Sequence, residues 1–354
     1  MKDHSTRYSA RASLAVVGTH MRRLGIWTII GAYVRIQQKV IAHTPLEKLL
    51  DAFINILAGG HGLVEVNKRV KRDKALQRAF GRSSCADQST ISETLNRCTA
   101  ENVAQMRQSL TVIYRSYGQG YQHPYEEKEQ VLDVDMTGLP AGRQGEGVER
   151  GFFSGRRNCR GRQLGRVFAT LHDEIVVDCL YPGKRQLERS LQPLVEMAEQ
   201  ALDLDETRRR RTIIRCDGGG GRDADVNWLL NRGYWILIKV KNWQRAYKLA
   251  QSVATWHPDP KTGDREVGWV EEPHAYDKPT RQLAVRITKK AGGYHYLVLV
   301  CNLSDRQLLW LARQDMRQAP TPTHVLFAAL YAYDLRGGGV ETSIKGSKQG
   351  LGLT

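Results

Sequence analysis

Two periods of hydrophobic spacing divide the chain. Between residues 44 and 114 apolar positions recur every three or four residues, whereas from residue 129 they gather in short β-branched blocks. Thr44-Pro45-Leu46-Glu47 joins a capping box to a proline at the first helical position. Leu46, Leu49, Leu50, Phe53, Ile54 and Leu57 follow at helical spacing until Gly59-Gly60. The pattern predicts a second, Lys/Arg-rich helix from Glu65 to Phe80, stopped by Gly81. A third opens at Asp87-Gln88-Ser89-Thr90-Ile91-Ser92-Glu93, with Thr90 and Glu93 as its capping box. Val103, Met106, Leu110, Ile113 and Tyr114 continue as a core-facing helix, and the Gly, Gln and Pro of Tyr117 to Glu127 read as a linker.

Beyond the linker the predicted elements alternate. Gln130 to Asp135 is a short strand ending in acid, and Arg166 to Leu171 and Ile175 to Tyr181 form a hairpin around His172-Asp173-Glu174. A helix through Leu187, Leu191, Leu194, Val195, Ala198 and Leu202 precedes a strand at Thr212 to Cys216, a helix at Asp225 to Asn231 and a strand at Tyr234 to Val240. That order describes an α/β layer with a hairpin edge. Asp135 closes its first strand and Asp217 its fourth, and the carboxyl ends of neighbouring strands are where such layers bind ligands. The glycines 218 to 221 lack the Lys-Ser/Thr of a phosphate-binding loop and the spacing of a dinucleotide fingerprint. They are better suited to letting another backbone, or a nucleic-acid strand, approach Asp217. Two carboxylates at strand ends suit a hard divalent cation; the bland alternative makes both of them turn residues.

Charge narrows the partner. The 354 residues carry 53 Lys and Arg against 37 Asp and Glu, a net charge of +16, which favours a polyanion and nucleic acid first. A basic helix, a turn and a short helix bearing Ser89, Thr90 and Ser92 resemble a helix-turn-helix that offers hydroxyls to base edges. Eight glycines and Arg143, Arg150, Arg156, Arg157, Arg160 and Arg162, with Phe152-Phe153 among them, fill 138 to 165, an expected mobile loop that orders on DNA. Arg208 to Arg211 is a second basic run, a solvated turn or a phosphate contact. No apolar run approaches the roughly 18 residues of a membrane span, and the polar start lacks a signal-peptide core. The six cysteines show no C-x-x-C spacing, so they read as reduced and structural. The expected location is the cytoplasm, in association with the nucleoid.

Three stretches, "LDVDMTGLP", "RCDGGGG" and "YDLRGGGVETSIKGSKQGLGL", together resemble an insertion-sequence DDE transposase. The likeness is to the group with a Tyr-Arg-Glu-Lys signature, here Tyr333, Arg336, Glu341 and Lys348. That group usually places three residues between Arg and Glu, and here there are four. The resemblance implies an α/β RNase H-like catalytic core, interrupted by a mainly β insertion and preceded by an all-α DNA-binding domain. Residues 1–125 would be the helical domain, 126–245 the first part of the core, 246–320 the insertion and 321–354 a core helix with the third acid, truncated at its end. Asp135, Asp217 and Glu341 would hold two Mg2+ or Mn2+ ions. Asp133 competes for the first place, because alternate strand residues point the same way; the spacing of Asp135 and Thr137 matches the family motif. Tyr333, Arg336 and Lys348 would contact phosphates at the transposon end. Inside the expected insertion, Val267 to Val270, Leu283 to Ile287 and Tyr294 to Val300 are β runs. Trp243, Trp256 or Trp269 would stack on a flipped base or, more commonly, sit in the core. Thr323 caps a helix through Leu326, Phe327, Leu330 and Tyr331. The implied activity is cutting at element ends and joining them to target DNA by a homodimer that synapses both terminal inverted repeats. A catalytically inactive DNA-binding relative and an RNase H-fold nuclease are the alternatives.

Overall fold

The computed structural model describes residues 8–40, 42–151, 153, 159–314 and 320–350. The chain divides into two compact units, 1–118 with 345–354, and 119–344.

The first unit is helical. Helices Ala12–Arg23, Ile26–Tyr33, Pro45–Leu57, Val64–Arg69, Lys74–Ala79, Gln88–Asn96 and Ala100–Tyr117 follow in order. The Thr44/Glu47 capping box forms as the sequence predicts, and Gly59 leaves that helix with a φ of 77°. Leu50, Ile54, Val66, Leu76, Phe80 and Ile91 build the core, which also buries the ion pair of Arg82 with Asp51. Three expectations change. The single helix from Glu65 to Phe80 is two, because Asp73 turns out of helical geometry and caps the second by accepting from Leu76 N. The third helix starts at Gln88 with no capping box: Thr90 Oγ1 donates to the Asp87 carbonyl instead. Val103 and Leu110 are 58% and 53% exposed, while Asn102 and Ser109 face inward, since Asn102 Nδ2 donates to the Arg35 carbonyl.

Among the described residues the second unit is built on ten strands: β1 (Gln130–Pro140), β2 (Glu149–Arg150), β3 (Arg160–Ala169), β4 (Glu174–Pro182), β5 (Thr212–Cys216), β6 (Trp235–Lys239), β7 (His257–Pro258), β8 (Arg265–Trp269), β9 (Arg281–Thr288) and β10 (Tyr294–Cys301). They form one sheet in the order β2-β3-β1-β5-β6-β10-β9-β8-β7, with β4 also pairing β3. β1, β5 and β6 are parallel, and their neighbours on both sides are antiparallel. The β runs expected within 246–320 are thus strands of this same sheet, joined through the pairing of β6 with β10.

Strand alternation sorts the two faces. Val131, Ile213, Leu237, Leu283 and Leu299 pack under helices Asp305–Leu311 and Pro322–Asp334. On the other face helix Leu191–Leu202 buries Leu191, Leu194 and Val195 against β1, β3 and β4. Helix Pro322–Asp334 is capped by Thr321, whose side chain accepts from His324 N, and not by Thr323. The segment expected as one basic loop is largely strand, because β1 extends to Pro140 and pairs β3 as far as Gly161. Gly161 permits that closeness: a Cβ there would lie 2.1 Å from the Leu139 carbonyl oxygen. Arg156 and Arg157 lie outside the described residues. The run Arg208 to Arg211 is tied down within the chain, through the carbonyls of Leu202, Leu204 and Tyr125 and the carboxylate of Glu206. No helix among the described residues is long and apolar enough to cross a membrane.

Candidate active site where the pairing of β1 with β5 ends

The parallel register of β1 and β5 runs from Gln130 opposite Thr212 to Val134 opposite Cys216. Asp135 and Asp217 are the next residue on each strand. β1 does not stop at Asp135 as the sequence suggested; it continues to Pro140, paired with β3, and only its pairing to β5 ends there. Odd-numbered residues of β1 and β5 face helix Pro322–Asp334, so Asp133, Asp135, Arg215 and the segment after that helix share one side of the sheet.

Asp133 and Asp135 have separate surroundings. Asp133 is fully buried, accepting from Arg215 Nε at 2.6 Å, Arg215 Nη2 at 2.7 Å and Thr170 Oγ1 at 2.6 Å. Arg215 lies directly across the register and also donates to the Ala332 carbonyl. With its oxygens committed, Asp133 locks the sheet to the helix above it. Among the described residues Asp135 accepts only from its neighbour Met136 N, at 2.8 Å, and its side chain is 14% exposed. Burial pushes its carboxyl up to about 6; the charges of Asp217 and Glu341 push the same way, and Arg336 opposes them.

Asp217 caps the short turn Gly218–Gly220 by accepting from Gly219 N at 2.9 Å, which fixes its carboxylate beside the end of β5. Gly220 and Gly221 answer to the protein's own packing, one to a side chain and the other to backbone. A Cβ at Gly221 would lie 1.9 Å from the Lys239 carbonyl oxygen, and one at Gly220 would lie 2.6 Å from Cys216 Sγ. Among the described residues the cysteines form no disulfide.

Glu341 arrives on a π-turn, Gly337–Glu341, that leads into helix Thr342–Gly350. A π-turn takes one residue more than an α-turn, which is how a chain accommodates a fourth residue between Arg336 and Glu341 while continuing in helix. Gly339 lets this turn close on the sheet: a Cβ there would lie 3.2 Å from both Asp133 Oδ2 and Thr170 Cγ2. Val340 and Ile344 pack with Phe168, and Ser343 Oγ accepts from Arg166, itself clamped on Asp178 of β4. Arg336 is 5% exposed. Its guanidinium reaches Asp135 Oδ2 at 3.6 Å and Glu341 Oε1 at 3.2 Å, over the half-buried Tyr333 ring. Its Nη1 is buried with no hydrogen bond. Burial raises the Tyr333 hydroxyl, so it stays protonated.

The structure therefore gathers Asp135, Asp217, Glu341, Arg336 and Tyr333. Arg336 faces the acids. Lys348 lies on helix Thr342–Gly350, in the stretch grouped with the first unit, and Ser89, Thr90 and Ser92 lie on helix Gln88–Asn96 of that unit. Of these serines and threonine, Ser89 is exposed and the other two are half-buried. Two residues missed in the sequence hold the site, Arg215 and Arg166. A charged residue within the otherwise apolar run before Asp217 was the available signal, because a buried guanidinium requires a buried carboxylate.

Among the described residues no three acids, histidines or cysteines are gathered closely enough to hold a metal unaided. The donor chemistry of Asp135, Asp217 and Glu341 nonetheless fits a hard divalent cation: oxygen ligands only, like charges crowded at Asp135, and one guanidinium between them.

The family model "Transposase DDE domain group 1" matches residues 4–353. No curated protein matches the chain. Among solved structures, a piggyBac transposase in a synaptic complex with hairpin DNA, determined by cryo-EM, has a similar fold, with a TM-score of 0.50 and 12% identity over 92% of this chain and 67% of that one.

Proposed function

The chain belongs to the group 1 family of DDE transposases, and from that membership and the site above we propose that it cuts DNA at the ends of an insertion sequence and joins them to target DNA. The observation that carries the proposal is the contact of Arg336 with both Asp135 and Glu341, with Asp217 at the end of the neighbouring parallel strand. In this reading 119–344 contains an RNase H-like core, and the helical first unit, with Ser89, Thr90 and Ser92 on helix Gln88–Asn96, contacts DNA. The three acids would hold two Mg2+ or Mn2+ ions. When bound, such ions stabilise the attacking and leaving oxygens of an in-line displacement at phosphorus.

The chain's own residues do the rest. Asp217 is held by the Gly219 amide, so its carboxylate needs no reordering. Asp135 must be ionised to serve, and a carboxyl poised near 6 is ionised at neutral pH. Arg336 holds the acids together against their repulsion and, with Lys348 and Tyr333, is assigned to the DNA phosphates. The partners are double-stranded DNA carrying terminal inverted repeats, target DNA and a second copy of the chain.

The test is cleavage of labelled DNA bearing the flanking repeat, by the protein and by its Asp217→Ala variant, with and without Mg2+ or Mn2+. Metal-dependent nicking at the repeat boundary, lost in the variant, is expected. Nicking that ignores the boundary would make the chain a nuclease, and cleavage surviving in Asp217→Ala would remove the acids from the chemistry.

A further inference from the structure

Three charged side chains stand in one row across the sheet. Asp135 on β1 lies directly opposite Arg166 on β3, and Arg166 lies directly opposite Asp178 on β4. Directly opposed residues point to the same face with Cβ atoms about 4.5 to 5.5 Å apart, so a guanidinium at the centre can reach either carboxylate. Here it turns to β4. Nε donates to Asp178 Oδ1 at 2.7 Å and Nη2 to Oδ2 at 2.6 Å, the two-pronged geometry that holds a guanidinium in one orientation. Arg166 is 1% exposed, and a charge so buried requires its partner.

On the same face Arg166 Nη1 donates to Ser343 Oγ at 2.9 Å. Ser343 stands two residues past Glu341, in the first turn of helix Thr342–Gly350. What precedes Glu341 gives that bond its importance. Gly337, Gly338 and Gly339 carry no side chain to anchor the π-turn, and a Cβ on Gly338 would meet nothing within 4 Å. Glycine has the most backbone freedom to lose, so such a turn does not fix the residue that follows it. Glu341 is itself exposed. Its place is therefore set from behind, by Val340 and Ile344 against Phe168 and by Ser343 against Arg166. Phe168 lies opposite Asp133 and Arg166 opposite Asp135, so β3 is the template that brings the first acid and the third into register.

We propose that Asp178, Arg166 and Ser343 are positioning residues for the acids: Asp178 draws the Arg166 guanidinium off Asp135, and Arg166 holds the helix of Glu341 through Ser343. The inference rests on the reading of Asp135, Asp217 and Glu341 as ligands of a divalent ion. Each contact has its own task. Asp178 keeps Asp135 available to the ion, and Ser343 keeps Glu341 within reach of it.

The test is calorimetric titration of the full chain with Mn2+ at constant pH, with circular dichroism melts to check that every variant is folded. Ser343→Ala is expected to weaken Mn2+ binding about 10-fold, the lower end of what losing an outer hydrogen-bond partner costs a metal site, and Ser343→Thr to bind as the parent does. Asp178→Asn is expected to weaken it further, toward about 100-fold, because the released guanidinium turns to Asp135. Adding Arg166→Met to Asp178→Asn takes that guanidinium away, and binding returns to the level of Ser343→Ala. A merely structural role gives the reverse, a double variant that binds no better than Asp178→Asn. That result, or unchanged binding in Ser343→Ala, overturns the positioning role while the acids keep their assignment. A parent chain that takes up no Mn2+ overturns both.

Discussion

Asparagine at Asp133 and at Asp135 is expected to act in opposite directions, although the two acids lie on one strand two residues apart. Asp133 sits at 0% exposure with Arg215 at 1%, and takes both guanidinium hydrogen bonds and the Thr170 hydroxyl. Asp133→Asn leaves a buried guanidinium without its counter-charge, a loss of about 3 to 5 kcal/mol. At roughly 2 to 4 °C per kcal/mol for a unit of this size, that lowers the melting temperature by on the order of 10 °C. Asp135 carries a cost instead. Its carboxyl is moved from 3.8 to about 6, so the folded form binds its proton more tightly than the unfolded form does. The penalty is absent below the unfolded value and complete above the folded one, and reaches up to about 3 kcal/mol at pH 8. Asp135→Asn removes it, less whatever the contact with Arg336 contributes, and is expected to be at least as stable as the parent while losing Mn2+ binding. Thermal melts at pH 8 in a chelator, paired with calorimetric Mn2+ titration, test both halves. An Asp133→Asn protein as stable as the parent that no longer binds Mn2+, beside an Asp135→Asn protein that does bind, would refute the assignment.

Gly221→Ala should cost roughly 3 kcal/mol, because its Cβ would fall 1.9 Å from a carbonyl oxygen; Gly338→Ala, which meets nothing within 4 Å, should be neutral or slightly stabilising, and urea midpoints distinguish them. His123, buried between His172 and the Lys128 carbonyl, is pushed down to about 4 by burial. The unfolded chain therefore takes up the proton first, and stability held above pH 6.5 falls by up to about 3 kcal/mol as the pH drops from 6.5 toward 4. His123→Gln should flatten that slope in urea melts. Arg336 lowers the Asp135 carboxyl, so Arg336→Gln should move the acid limb of Mn2+ binding to higher pH; an unchanged limb would show that the guanidinium does not act on Asp135.

Much of this architecture is local in origin and so was legible in the chain. The Thr44-Pro45-Leu46-Glu47 cap forms from neighbouring residues, and the blocks Gln130 to Asp135 and Thr212 to Cys216 are strands because β-branched residues suit a pleated, buried surface. The order of elements put Asp135 and Asp217 at strand ends; Asp217 does follow β5 directly, whereas β1 runs past Asp135 to Pro140 and only its pairing with β5 stops there. Tertiary structure decided the matters that depend on register and on what packs across it. It paired Asp133 with Arg215, residues 82 apart in sequence, and so left Asp135, which accepts from Met136 N and faces Arg336, as the acid of the site. It fitted the additional residue between Arg336 and Glu341 into a π-turn, and it split the helix expected over 65 to 80 by turning Asp73 into a cap. It also joined the strands of 246–320 to one sheet and left Trp243 on its surface. A single chain states which residues can bury, cap or ionise; which neighbour satisfies each of them is a distance between elements remote in sequence, and folding alone supplies it.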